Sequence, residues 1–90
     1  MEGNRYYFTL GTNEGFPFHG GWVEVVAHDL DEAIERYAKF FPPRELNGFV
    51  NCAFMYPEEQ FKDTSMAKRG ENMGHGCWAV IDAEGGIDYK

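Results

Sequence analysis

Residues Trp22 to Pro43 constrain what this chain can fold into more than any other stretch. Trp22-Val23-Glu24-Val25-Val26-Ala27-His28 reads as a strand, rich in β-branched residues and alternating between two faces. Val23, Val25 and Ala27 share one face, the natural core side; Trp22, Glu24, Val26 and His28 share the other. The strand runs straight into a helical pattern from Asp29 to Phe41. Asp29 stands at the N-cap and Glu32 three residues on, the capping-box spacing. Leu30, Ala33, Ile34, Tyr37, Ala38 and Phe41 recur at helical spacing as one apolar stripe. Asp31, Glu32 and Glu35 come early and Arg36 and Lys39 late, which suits the helix dipole. Pro42-Pro43 then stops the helix, because proline has no N–H to donate and crowds the preceding turn. A strand feeding a helix in mid-chain predicts an α+β domain.

The flanking sequence extends this unit. Arg5 to Leu10 is a strand with Tyr6, Phe8 and Leu10 on one face, ended by the turn residues Gly11 to Gly15. A loop with Phe16, Phe18 and His19 leads to Trp22. Phe49 to Tyr56 is apolar enough for a central strand. Pro57, followed by Glu58-Glu59-Gln60-Phe61, opens a short helix that ends raggedly by Arg69. Gly70 to Gly76 reads as a flexible loop, and Cys77 to Asp82 as a last strand. The expected order is β-β-α-β-α-β: one domain over residues 1–90, with a mostly antiparallel four-stranded sheet and one main helix on one face. Residues 5–82 form the expected ordered core, and 83–90, with Gly85-Gly86, a frayed tail.

Composition narrows the function classes. Fifteen aromatic residues among ninety are more than one small core easily hides, which favours a partner surface or a homo-oligomer. Eight basic residues against fifteen acidic ones give a net charge of −7. Direct nucleic-acid binding is not expected, since phosphates are met by clustered Lys and Arg. No apolar run is long enough to span a bilayer, and the first residues lack the apolar centre of a signal peptide, so the expected setting is cytoplasmic.

Catalytic and metal motifs are weak. His75-x-Cys77, with Cys52 in the preceding strand, offers three possible ligands but not the paired four-ligand spacing of a zinc site. Cys52 or Cys77 with His19 or His75 is the only nucleophile-base combination in view, and Ser65, the only serine, has no nearby histidine in sequence. The expectation is no catalytic residue, no metal and no cofactor. The acidic run is a better signal. Glu24, Asp29, Asp31, Glu32 and Glu35 occur with no Lys or Arg between Trp22 and Glu35. If strand and helix start adjoin, they form a negative face able to imitate nucleic-acid phosphates in a basic groove.

Three segments carry a resemblance. Tyr6-Tyr7-Phe8-Thr9-Leu10-Gly11-Thr12, the run from Phe16-Pro17-Phe18 to Gly20-Gly21-Trp22, and Asn51-Cys52-Ala53 followed by Glu58-Glu59-Gln60-Phe61 resemble a family of small proteins encoded by bacterial phages and mobile elements. In size and acidity the chain is also similar to phage anti-CRISPR and other anti-defence proteins. This resemblance implies no catalytic residues. It implies a small non-enzymatic inhibitor of a host nucleic-acid-handling protein with a basic surface. Glu24, Asp31, Glu32 and Glu35 would meet that surface, and Phe16 and Phe18 would anchor the contact. The alternatives are an oligomeric binder of a small molecule or nucleotide signal, using Tyr7, Trp22, His75 and Trp78, and a small enzyme using Cys77 and His75.

Overall fold

A computed structural model gives the fold over residues 3–11, 20–41 and 54–90. The loop with Phe16, Phe18 and His19, the Pro42-Pro43 stop, and residues 44–53, Cys52 included, lie outside the described residues. The elements in chain order are β1 (Asn4–Thr9), β2 (Trp22–Ala27), α1 (Leu30–Phe40), β3 (Phe54–Pro57), α2 (Glu58–Phe61), α3 (Ser65–Arg69), β4 (Cys77–Ile81) and β5 (Ile87–Tyr89). They form an α+β fold with one five-stranded sheet, ordered β3-β1-β2-β4-β5. All neighbours are antiparallel except β2 and β4, which run parallel.

Two expectations are corrected by this order. The strand ending at Pro57 is not central but lies at a sheet edge, with Phe54 55% exposed. The sheet has five strands because the segment expected to fray folds back. Asp82 accepts the N–H groups of Glu84 and Gly86, each at 2.9 Å, and Gly85 takes a φ of 88°. The turn aims Ile87 and Tyr89 at Ile81 and Ala79.

The core lies between the sheet and α1. Phe8, Val23, Val25, Ala79 and Ile81 from the strands are each 0% exposed, and Ala33 and Tyr37 from α1 match them. Tyr37 stacks on Phe8 with centroids 4.3 Å apart, and on Phe41 at 4.8 Å. The helical stripe is as expected except at its first position. Leu30 is 40% exposed, and at the other end of the helix Phe40, outside the expected stripe, also packs against the core. Asp29 caps the helix by accepting the Glu32 N–H at 2.9 Å. The Glu32 carboxylate reaches back to the N–H of His28 at 2.6 Å, one residue before the usual partner in a capping box.

The Gly70–Gly76 segment is a hydrogen-bonded turn rather than an open loop. Thr64 caps α3 by accepting the Ala67 N–H, and Gly70 ends it in the left-handed region. Asn72 and His75 bridge across Met73 and Gly74, whose φ values are 55° and 86°. The Asn72 amide donates to the carbonyls of Leu10 and Gly21, each at 3.0 Å. Gly21, at φ 69°, passes so close that a Cβ there would lie 2.3 Å from the Gly76 carbonyl oxygen. This packing ties the end of β1 and the start of β2 to the turn before β4.

Candidate functional site

The second face of the sheet, opposite α1, carries the site. The two-residue alternation puts Arg5, Tyr7 and Thr9 of β1 on this face, because Tyr6 and Phe8 take the other. Strand register then aligns the side chains in rows. Tyr56, Tyr7, Glu24 and Val80 form one row across four strands, and Phe54, Thr9, Trp22 and Cys77 the next. The short helix α2 lies over these rows and buries a single ring. Phe61 is 5% exposed and stacks on Tyr7, with centroids 4.1 Å apart and planes 7° from parallel. Trp22 and Tyr56 meet it in T-shaped contacts, with centroids 5.1 and 6.1 Å away.

Between these rings and the start of α2 lies an open cleft of about 630 Å³. Tyr7, Trp22, Phe61 and Cys77 form its aromatic and thiol-bearing walls, and Glu24, Glu58 and Glu59 supply carboxylates against the single ammonium of Lys62. A second cavity of about 450 Å³ adjoins it, lined by Arg5 and Tyr6 and sharing Glu58 and Glu59 with the first. Arg5 spans the divide: its Nε donates to Glu24 Oε2 at 3.0 Å.

The electrostatics follow from this crowding. Burial, and then the carboxylates of Glu24 and Glu58, push the Tyr7 phenol up to about 12, against the opposing pull of Arg5. Tyr7 therefore presents a neutral hydroxyl at any physiological pH. Burial likewise pushes the Cys77 thiol up, and its Sγ lies 3.3 Å from the Ala79 carbonyl oxygen. A thiol held protonated in this way is a poor nucleophile, because the thiolate is the reactive form. Arg5 is pushed further up by the hydrogen bond and charge of Glu24.

The expected site residues divide between separate places. Glu24 does not join the helix carboxylates. It faces away from α1 and is paired with Arg5 in the cleft. Glu32 is engaged by the His28 N–H and by Arg36 at 3.4 Å. Asp31 and Glu35 stand exposed on α1. The continuous negative face expected from Glu24 to Glu35 is thus two acidic surfaces on opposite sides of the sheet. Tyr7 and Trp22 are brought together. His75 and Trp78 are not with them: these two stack on each other at 5.0 Å, and the Trp78 indole donates to the Gly20 carbonyl at 2.7 Å. Phe16 and Phe18 lie outside the described residues.

Sequence reasoning missed Phe61, Glu58 and Glu59 as site residues. A four-residue helix carries no amphipathic period, although Pro57-Glu58-Glu59 does mark a helix start. Among the described residues, no three His, Cys, Asp or Glu side chains come together as a metal site. No helix among them is long and apolar enough to cross a membrane. Comparison with protein-family models, curated proteins and solved structures finds no match to this chain.

Proposed function

We propose that this chain is a small acidic binding protein that engages a partner with a basic surface, in the manner of a phage-type inhibitor of a host nucleic-acid-handling protein. The observation that carries this reading is the cleft, where rings of Tyr7, Trp22 and Phe61 stand beside Glu24, Glu58 and Glu59. Phe61 and Trp22, 5% and 8% exposed, give the cleft an apolar floor beside the half-buried Tyr7, and a charged rim around such a floor is what draws an incoming basic side chain. The net charge of −7, with Asp31 and Glu35 exposed on α1, adds long-range attraction toward a basic partner. The target class rests on the resemblance of the aromatic and glycine segments to phage and mobile-element proteins. A host cytoplasm and a non-enzymatic role belong to the same proposal. Exposed Phe54 and Tyr89, on the two edge strands, are available for self-association.

A second reading, a binder of a small molecule, is favoured by the cleft volume, which falls in the range of roughly 300–1,000 Å³ common to ligand pockets. The three carboxylates weigh against a nucleotide there, since they repel phosphate. The test captures the partner from host lysate and follows binding kinetics at low and high salt. Glu58→Lys with Glu59→Lys should slow association by about tenfold or more at low salt, and the loss should shrink at high salt. Asp31→Lys with Glu35→Lys should slow it less. If neither pair changes the association rate at low salt, the basic-partner reading fails and the small-molecule reading replaces it.

A further inference from the structure

The ion pair between Arg5 and Glu24 says what the cleft accepts, and the inference drawn from it rests on the binding reading above. Glu24 lines the larger cavity and Arg5 the smaller, so a guanidinium from the chain itself reaches the acidic wall from next door. The Arg5 side chain is 51% exposed and that of Glu24 21%. A pair this open to water holds weakly and exchanges readily with another cation. Around the shared carboxylate stand Tyr7, directly across the strand pair, and the carboxylates of Glu58 and Glu59 at the start of α2. A guanidinium is flat, stacks on aromatic rings and meets a carboxylate with a fork of donors. An ammonium offers neither the plane nor the fork. A phosphate would meet three like charges, and the carboxylates do not converge with other ligands on a metal site among the described residues.

We infer that the cleft seats an arginine side chain projected by the partner protein. Glu24 is its acceptor, the half-buried ring of Tyr7 and the small exposed part of Trp22 are its aromatic wall, and Arg5 is the internal group that it displaces. The arrangement makes Arg5 a built-in competitor. In the unbound protein it neutralises Glu24, and it swings into water when a better-placed guanidinium arrives.

The test is a titration of the full chain with Nα-acetyl-arginine amide, followed by amide and indole NMR shifts. Saturable shifts should appear at the Trp22 indole N–H and at the backbone amides of Tyr7 and Phe61. Nα-acetyl-citrulline amide, the uncharged isostere, should bind at least about tenfold more weakly, and the lysine analogue should bind more weakly than arginine. Glu24→Gln should weaken arginine binding by about tenfold, with an otherwise native spectrum. Arg5→Gln should tighten it by about two- to fivefold, because the competitor is gone. Equal binding of citrulline or lysine, shifts confined to Asp31 and Glu35 on α1, or weaker binding in Arg5→Gln would each overturn the inference. If the arginine probe fails while partner association still responds to Glu58→Lys with Glu59→Lys, the arginine seat falls and the basic-partner reading stands. If the probe binds but the partner ignores those substitutions, the basic-partner reading falls instead.

Discussion

Phe61 is the single side chain on which the cleft depends, and truncating it tests the whole second face of the sheet. Phe61→Ala removes a ring that is 5% exposed and that touches Tyr7, Trp22 and Tyr56. Truncation of a buried Phe costs about 3–5 kcal/mol, the spread reflecting how far the surroundings can close the gap. Here α2 has four residues and no other buried side chain, so it can settle toward the sheet. We therefore expect the lower end, about 3 kcal/mol. A ninety-residue domain is stable by roughly 5–13 kcal/mol, so the variant should still fold. Its melting temperature should drop by roughly 12–24 °C, at about 4–8 °C per kcal/mol for a domain of this size. Phe61→Leu keeps apolar volume but loses the stacked pair, and should cost about 1–2 kcal/mol. Urea unfolding followed by far-UV circular dichroism measures both. A Phe61→Ala midpoint within error of the parent, at unchanged slope, would show that α2 does not cover the Tyr7–Trp22 rows in solution.

Three further outcomes follow from the geometry. Tyr7 should ionise near pH 12, above the roughly 10 of a free phenol, read as a late step in ultraviolet titration. Because the folded value lies above the unfolded one, the stability linked to Tyr7 is fully present below about pH 10 and is lost as pH rises toward 12. Met73→Asn should stabilise the protein by about 0.5–1 kcal/mol in urea, since Met73 holds a positive φ beside Gly74 and Asn-Gly is the preferred pair for such a turn. Asp29→Ala should cost about 0.5–2 kcal/mol, the usual loss for an N-cap acceptor, with α1 fraying at its first turn by hydrogen exchange.

Where the chain has a period, the fold was legible. Tyr6, Phe8 and Leu10 on one side of β1, and Val23, Val25 and Ala27 on the same side of β2, are what a two-residue alternation dictates, and the sheet packs them under α1. Asp29 as cap and Tyr37 at the centre of the helical stripe follow from equally local rules. Short elements carry no such signal. Ile87–Tyr89 is a three-residue strand that exists because Asp82 closes the turn before it, and turn closure by a side chain is a three-dimensional event. The cleft was half legible for the same reason. Tyr7 and Trp22 stood out as ring positions, but the ring that joins them, Phe61, comes from a helix of one turn, far along the chain from both.

Glu24 marks the sharper limit, because the alternation that located the core also located this residue. Val23 and Val25 point toward α1, so Glu24 between them must point away, and its carboxylate cannot join Asp31 and Glu35 on the helix. Reading the five carboxylates as one face counted charges along the chain and ignored the period of the strand carrying the first of them. What the sheet does with Glu24 is more specific. It places the carboxylate opposite Tyr7 in register, beside the guanidinium of Arg5 two residues away on the same strand face. It also places Trp22 two residues along the same face, so charge and aromatic surface meet at one spot because two antiparallel strands alternate in phase. A one-residue slip of β1 against β2 would turn Tyr7 into the core and carry Phe8 out to the cleft. The buried pair of Phe8 and Tyr37 forbids that slip, so the helix on one face fixes the binding geometry on the other.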